Sequence, residues 1–167
     1  MAITKDLIRK YYQPVYIETG SAGGNTLQQA LEAGVQHIHG IELNGDLLKN
    51  CKGRFRGNKA VNLHHGHSEQ CLGSILKNLN WRALIYLDAH KVSEDGPGTY
   101  PLWKELAIIK MFRKYGHTIM IDDIRLCGDI LPPLNEVMSF IASINRKYQI
   151  AFEDSITNDK DTLVAYL

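Results

Sequence analysis

A glycine-rich turn between an apolar stretch and a helix-forming stretch constrains the fold of this chain more than any other feature. The turn is Gly20-Ser21-Ala22-Gly23-Gly24, which follows Val15-Tyr16-Ile17-Glu18-Thr19 and precedes Asn25-Thr26. Glycines allow a sharp bend and let the backbone come close to a ligand, while Asn25 or Thr26 can cap the helix that follows. The pattern therefore predicts a strand, a cofactor-binding turn and a helix in succession.

The residues around this turn favour a cationic ligand over a dinucleotide. A dinucleotide-binding G-x-G-x-x-G sequence would need glycines where Ala22 and Asn25 stand. Glu18 instead places a carboxylate two residues before the first glycine, Gly20. A carboxylate suits the amino group and sulfonium of S-adenosylmethionine (SAM), so a dinucleotide-dependent reductase is disfavoured.

Strand-like and helix-like segments alternate along the rest of the chain. The strand-like segments are 37–42, 61–65, 82–88 and 117–123, and the helix-like segments between and after them are 46–54, 68–79, 101–115 and 132–146. This alternation predicts an α/β fold, a mostly parallel sheet with helices on both faces. The last two strands, 148–152 and 162–167, have no helix between them, so an antiparallel hairpin is expected there.

Polar residues follow several of these strands at their carboxyl ends, where ligands bind in sheets of this type. Glu42 closes the second strand and can accept hydrogen bonds from the hydroxyls of a ribose. His67 and Ser68 follow the third strand, where they can reach an adenine ring. These positions predict an adenosine-binding site beside the glycine turn.

Three further carboxylates indicate a site that binds a cation. Asp88 closes the fourth strand, and Asp122 and Asp123 close the fifth. Carboxylates on neighbouring strands repel one another unless a cation or bound water screens them, and oxygen ligands favour a hard ion such as Mg²⁺. His90 and Lys91 follow closely enough that either could act as a base toward a substrate hydroxyl.

Composition narrows the classes of partner. The formal net charge is +1, which argues against strong binding to nucleic acid or to an anionic membrane. One local run, residues 49–59, contains five basic residues and no acidic one, namely Lys49, Lys52, Arg54, Arg56 and Lys59. The three cysteines are scattered, and no apolar run reaches the length of a membrane span. We expect a cytoplasmic protein with no membrane partner, and a single domain over residues 1–167 in which residues 1–14 form a short helical extension.

The motifs together resemble those of class I SAM-dependent methyltransferases, and most closely the metal-dependent O-methyltransferases of the catechol O-methyltransferase type. Four places carry the resemblance: residues 18–24, 41–44, 66–69, and 87–91 with the Asp122-Asp123 pair. It implies a Rossmann-like sheet of seven strands in the order 3-2-1-4-5-7-6, with the last strand antiparallel. It covers roughly residues 15–127.

The resemblance also implies roles for individual residues. In that family the first acid and the later acid pair bind Mg²⁺, which corresponds to Asp88, Asp122 and Asp123 here. A lysine three residues after the first acid acts as the base, and Lys91 holds that position, with His90 as a competitor. The residues expected to bind SAM are Glu18, Thr19, Gly20, Ser21, Gly24, Asn25, Glu42, Leu43, His67, Ser68 and Asp88. The expected acceptor is a hydroxyl of a small molecule, such as a sugar, a catechol or a natural product.

Some alternatives stay open. About fourteen residues precede the first strand, where this family usually carries helices that wall the substrate pocket, so the pocket is open, shaped by residues 91–100, or completed by a partner in a homo-oligomer. A nucleic-acid or protein methyltransferase of the same fold is one rival. The nucleic-acid enzyme is disfavoured because Asp88-Ala89-His90-Lys91 stands where a Pro-Pro-aromatic motif would be needed. A non-catalytic SAM-binding module is another.

Overall fold

Seven strands form one sheet in the computed structural model of this chain, which describes residues 3–89 and 100–167. The strands are β1 (Val15–Thr19), β2 (His37–Glu42), β3 (Val61–His65), β4 (Ala83–Leu87), β5 (Thr118–Ile121), β6 (Gln149–Glu153) and β7 (Thr162–Tyr166). Their order across the sheet is β3-β2-β1-β4-β5-β7-β6. Strands β1 to β5 run parallel, and β7 runs antiparallel to both of its neighbours. The predicted fold class and strand order are confirmed.

Six helices lie on the two faces of this sheet in the described parts of the chain. They are α1 (Lys5–Lys10), α2 (Asn25–Glu32), α3 (Gly45–Arg54), α4 (Ser68–Lys77), α5 (Leu102–Met111) and α6 (Leu134–Ile144). Two short 3₁₀ turns, Arg113–Tyr115 and Ile124–Leu126, follow α5 and β5. The helix expected over 101–115 therefore ends earlier, and its last residues form the first of these turns before Gly116, which has a left-handed backbone.

The start of α2 differs from the expected side-chain cap. Its N-cap is Gly24, which has a φ of 77° and has no side chain that could cap the helix. Neither Asn25 nor Thr26 is the cap, because both residues already lie within the helix. The hydroxyl of Thr26 donates a hydrogen bond to Glu18 on β1 instead, so the turn is fixed to the strand before it.

Apolar side chains fill both sides of the sheet. On one face, residues of β1, β4, β5 and β7 pack against α4, α5 and α6, including Ile17, Ile85, Ile121, Leu76, Leu106 and Ile141. On the other face, the same strands pack against α1, α2 and α3, including Tyr16, Leu84, Met120, Ile8, Leu27 and Cys51. Every residue of β4 is buried, as expected for a central strand covered on both faces. The core thereby holds the carboxyl ends of β1, β4 and β5 side by side.

The buried side chain of His117, just before β5, leads us to predict a dependence of stability on pH. The side chain is fully buried, and its Nδ1 accepts a hydrogen bond from the backbone N–H of Ala83 at 3.1 Å. Burial lowers the pKa of His117 to about 4. The unfolded chain takes up this proton near its ordinary pKa of about 6.5, so His117 contributes a loss of up to about 3 kcal/mol of stability as the pH drops from about 6.5 to 4.

Urea unfolding at pH 7 and at pH 4.5 measures this loss. His117→Asn keeps an acceptor near the position of Nδ1 but cannot titrate, so its loss of stability between the two pH values should be smaller. Other buried groups affect both proteins alike: His39, whose pKa burial also lowers to about 4, adds a loss as the pH falls, whereas Glu18 and Asp88, whose pKa values burial raises to about 8 and 9, add a gain. Equal losses in the wild type and in His117→Asn would contradict the prediction.

Candidate active site

A cavity of about 250 Å³ lies at the carboxyl ends of the central strands. One wall is the glycine turn and the start of α2, formed by Gly20, Ser21, Ala22, Gly23, Asn25 and Thr26. Carboxylates form a second part of the lining, namely Glu18, Asp88, Asp122 and Asp123. Ser155 and Thr157, in the turn between β6 and β7, complete the lining among the described residues. The cavity therefore carries several acidic groups.

Gly20 sets the shape of the wall formed by the glycine turn. Its φ is 77°, and a Cβ added at this position would lie 2.6 Å from the carbonyl oxygen of Asp88. The N–H groups of Gly20 and Ser21 both donate to the carbonyl of Ile41, at 2.9 and 3.0 Å. The turn is therefore held against the ends of both neighbouring strands, β2 and β4. Position 20 requires glycine, because any side chain there would meet the backbone of Asp88.

Glu18 lies beneath the turn, and only 1% of its surface is exposed. One carboxylate oxygen, Oε1, accepts the hydrogen bond from Thr26, whereas Oε2 has no hydrogen-bond partner among the described residues. Burial raises the pKa of Glu18 to about 8, although the hydrogen bond from Thr26 acts in the opposite direction. A ligand that donates a hydrogen bond or carries a positive charge would satisfy this buried oxygen.

Asp88, Asp122 and Asp123 form the acidic cluster of the cavity. Each offers one carboxylate oxygen, and the three oxygens lie within 4.8 Å of one another. Burial, followed by the nearby charges of Asp122, Glu18 and Asp123, raises the pKa of Asp88 to about 9. Three acceptor oxygens at this spacing suit a hard divalent cation, which would remove the repulsion among them.

Two contacts hold the Asp122-Asp123 pair in place. The hydroxyl of Thr162 donates a hydrogen bond to Oδ1 of Asp122 at 3.3 Å. Asp123 has a left-handed backbone with a φ of 55°, and its Oδ1 lies 2.6 Å from Nη1 of Arg125. The same guanidinium forms an ion pair with the buried carboxylate of Asp161, so Arg125 links the acidic cluster to the start of β7.

Glu42, predicted to bind ribose, is largely buried at the end of β2 and supports the glycine turn. Its Oε2 accepts the N–H of Ala22 and its Oε1 accepts the N–H of Asn44, both at 2.7 Å. Asn44 in turn caps α3 by accepting the N–H groups of Asp46 and Leu47. Each oxygen of Glu42 keeps a lone pair that could accept a hydrogen bond from a ligand.

The structure brings part of the predicted site together around one cavity. Seven predicted residues line it: Glu18, Gly20, Ser21, Asn25, Asp88, Asp122 and Asp123. Six other predicted residues lie at the same edge of the sheet but outside the described lining: Thr19, Gly24, Glu42, Leu43, His67 and Ser68.

Some of these six have defined structural contacts. The hydroxyl of Thr19 accepts the N–H of Asp88 at 3.3 Å, and a Cβ at Gly24 would meet the ring of Phe55. His67 is the N-cap position of α4 but makes no side-chain cap, and Ser68 is the first helical residue. Lys91 and His90, the predicted bases, lie outside the described residues.

The sequence did not identify Ser155, Thr157 or Arg125 as site residues. Because β7 is antiparallel to both neighbours, β6 runs in the same direction as β5, and its carboxyl end lies at the same edge of the sheet. The turn after β6 therefore begins at this edge, and its residues Ser155 and Thr157 reach the cavity. The strand order implied by the family resemblance already places the turn after β6 at this edge of the sheet. The sequence of the turn itself is polar, like that of an ordinary loop, and gives no such indication.

Arg54, one residue of the basic run, also has a structural contact with the glycine turn. Its Nη1 donates to Oδ1 of Asn25 at 2.6 Å and to the carbonyl of Gly23 at 3.2 Å. This contact explains one of the basic residues without a nucleic-acid partner. Among the residues described, no helix is both long and apolar enough to cross a lipid bilayer.

Comparisons with known proteins identify the fold. Neither the models of protein families nor the sequences of curated proteins match this chain. Among solved structures, an O-methyltransferase from Bacillus cereus in complex with SAH (S-adenosylhomocysteine) is similar over 98% of this chain and 78% of its own, with a TM-score of 0.65 and 14% identity.

Two further solved structures have the same fold. The O-methyltransferase TomG from Streptomyces achromogenes, in complex with SAM, has a TM-score of 0.64 and 15% identity over 98% of this chain and 77% of its own. Human methyltransferase-like protein 13, in complex with SAH, has a TM-score of 0.68 and 12% identity over 99% of this chain and 76% of its own. At these identities the likeness shows a shared fold.

Proposed function

Starting from the fold of the class I methyltransferases, we propose that this chain binds SAM and transfers its methyl group to a hydroxyl of a small molecule. The observation that carries the proposal is the buried carboxylate of Glu18, which faces the cavity with one oxygen unpartnered among the described residues. A buried acceptor of this kind needs a donor or a cation, and the ammonium group of SAM is both. The SAM and SAH complexes among the similar structures support the choice of cofactor.

The other residues proposed to hold SAM either line the cavity or lie at the same edge of the sheet outside its lining. Gly20 allows the backbone to approach the ligand, and Ser21 and Asn25 add polar groups on the same wall. Glu42 would accept the ribose hydroxyls with its remaining lone pairs. Leu43, which is 44% exposed, and His67 with Ser68 would flank the adenine. Thr19, Gly24 and Asp88 would shape the turn and the end of β4 around the ligand.

We also propose that Asp88, Asp122 and Asp123 hold Mg²⁺, because their oxygens are of the right type and lie close together. When bound, Mg²⁺ lowers the pKa of a coordinated hydroxyl and fixes its position. Lys91 would take the proton from the acceptor hydroxyl, with His90 as the alternative base; both assignments come from the sequence alone. Ser155 and Thr157 would contribute hydroxyl groups to the opposite wall of the cavity.

Calorimetry with SAM and with SAH tests the cofactor assignment. Glu42→Ala should weaken the affinity at least tenfold, because a hydrogen bond to a charged acceptor contributes about 1.5–3 kcal/mol. Glu136→Ala, which removes an exposed carboxylate on α6, is the control and should bind as the wild type does. Unchanged affinity in Glu42→Ala would show that Glu42 is not the ribose ligand. Binding of NAD(H) in place of SAM would overturn the proposed function.

A further inference from the structure

Two consecutive residues at the start of β7 support both members of the Asp122-Asp123 pair. Thr162, the first residue of β7, donates its hydroxyl hydrogen bond to Asp122 at 3.3 Å. Asp161, the residue before it, forms an ion pair with Arg125, whose Nη1 lies 2.6 Å from Asp123. One short segment therefore contacts each carboxylate of the pair, directly in one case and through a guanidinium in the other.

This segment is itself firmly held. Thr162 is fully buried and Asp161 is 2% exposed. The carboxylate of Asp161 also accepts the backbone N–H of Arg125 and the side-chain amide of Asn158, both at 3.1 Å, and its carbonyl accepts the N–H of Ile124. The strand that follows is paired on both sides, with β5 and β6. The groups that contact the acid pair are thus fixed by the sheet.

The acid pair needs such support. Three carboxylate oxygens within 4.8 Å repel one another, and side chains free to rotate would separate. Ligand carboxylates in metal sites are normally oriented by a hydrogen bond from an outer group. Glu18, which lines the same cavity and has one buried oxygen without a partner among the described residues, is a separate sign that a ligand or cation binds there.

We propose that Thr162 is a positioning residue, which orients Asp122 for a divalent cation, and that Asp161 positions Asp123 through Arg125. This inference rests on the cation site of the proposed function. It adds three supporting residues, Thr162 of β7, Asp161 just before it and Arg125 of the turn after β5, which would neither touch the substrate nor bind the cation. Their effect is on the affinity and geometry of the site.

Thr162 allows a cleaner test than Arg125 does. Replacing Arg125 removes a positive charge, which strengthens cation binding, and also releases Asp123, which weakens it. Thr162→Val changes no charge and keeps the branched shape that packs in the sheet, so only the hydroxyl is lost. Thr162→Ser retains the hydroxyl and is the conservative variant expected to restore binding.

The experiment is a titration of the 167-residue chain with Mn²⁺ alone, followed by the electron paramagnetic resonance signal of the free ion. Thr162→Val should weaken Mn²⁺ binding about tenfold or more, as is typical when an outer partner of a ligand is removed. Thr162→Ser should bind nearly as the wild type does. Thr118→Val is the matched control: Thr118 is also buried, at the opposite end of β5, and its hydroxyl accepts a hydrogen bond from Gln13 at 3.2 Å. This control should leave Mn²⁺ affinity unchanged.

The outcomes distinguish the positioning role of Thr162 from the cation site on which that role depends. Wild-type affinity in Thr162→Val would overturn the positioning role and leave the cation site standing. Equal weakening in Thr162→Ser and Thr162→Val would also overturn it, because the hydroxyl would not be the group that matters. Failure of the wild type to bind Mn²⁺ would overturn the cation site itself, and this inference with it. Circular dichroism of each variant confirms that a folded protein is being compared.

Discussion

Removing residues 162–167 is expected to abolish cooperative folding. These residues include all of β7, which pairs with β5 on one side and with β6 on the other. Leu163, Val164 and Ala165 are fully buried and contribute to the cores on both faces of the sheet. Burying an aliphatic side chain contributes about 1.5–3 kcal/mol, and a domain of this kind has only about 5–15 kcal/mol of net stability.

The loss extends beyond the deleted side chains. β6 pairs only with β7 among the described strands, so the truncation also removes the sole partner of β6. Thermal unfolding followed by circular dichroism should show no cooperative transition in the truncated chain. Deletion of Leu167 alone, which lies after β7 and is 42% exposed, is the control and should preserve the transition. A cooperative transition without residues 162–167 would place β7 outside the essential sheet.

We expect the second large effect on the rate of methyl transfer, when the proposed cation site is disrupted. Asp122→Asn keeps the shape of a 5% exposed side chain but removes the charge that would bind the cation. With the formation of SAH as the readout and a panel of small hydroxyl compounds as acceptors, both EDTA and Asp122→Asn should abolish turnover. SAM binding by calorimetry should remain nearly intact, because the proposed SAM contacts at Glu18 and Glu42 are unchanged.

Variants at the two predicted bases separate their roles. Lys91→Met should reduce the rate by about 10²–10⁴-fold if Lys91 is the general base. Full activity in Lys91→Met, together with a loss in His90→Ala, would assign the base to the histidine. Full activity in EDTA would rule out the metal-assisted mechanism and leave methyl transfer without a cation.

The fold was predictable because its strongest local signals agree with one another. β4 is apolar throughout and is followed by Asp88, and the alternation of strands and helices specifies a parallel sheet. The position of β7 between β5 and β6 came from the family resemblance, since pairing between distant strands leaves little trace in local sequence. The helix caps were less predictable. Thr26 resembles a cap residue, yet its hydroxyl contacts Glu18, eight residues earlier in the chain.

The residues of the candidate site were predictable where an acidic residue stands at the carboxyl end of a predicted strand. Glu18, Asp88, Asp122 and Asp123 all follow this rule and line the same cavity. Arg125 and Thr162 were not identified, because the distant partners, Asp161 for Arg125 and Asp122 for Thr162, lie 36 and 40 residues away in the chain. Such supporting contacts depend on three-dimensional proximity, and here they depend on the strand order beyond β5.

The position of β7 also fixes a sequence of events during synthesis. Each of the strands β2 to β5 can pair with a strand made before it: β2 with β1, β3 with β2, β4 with β1, and β5 with β4. β6 has no such partner, because its neighbour in the sheet is β7, which is made later. A nascent chain therefore carries β6 as an unpaired segment until residue 166 has left the ribosome. In that interval β6 and the edge of β5 lack their strand partner and are open to aggregation and to chaperones.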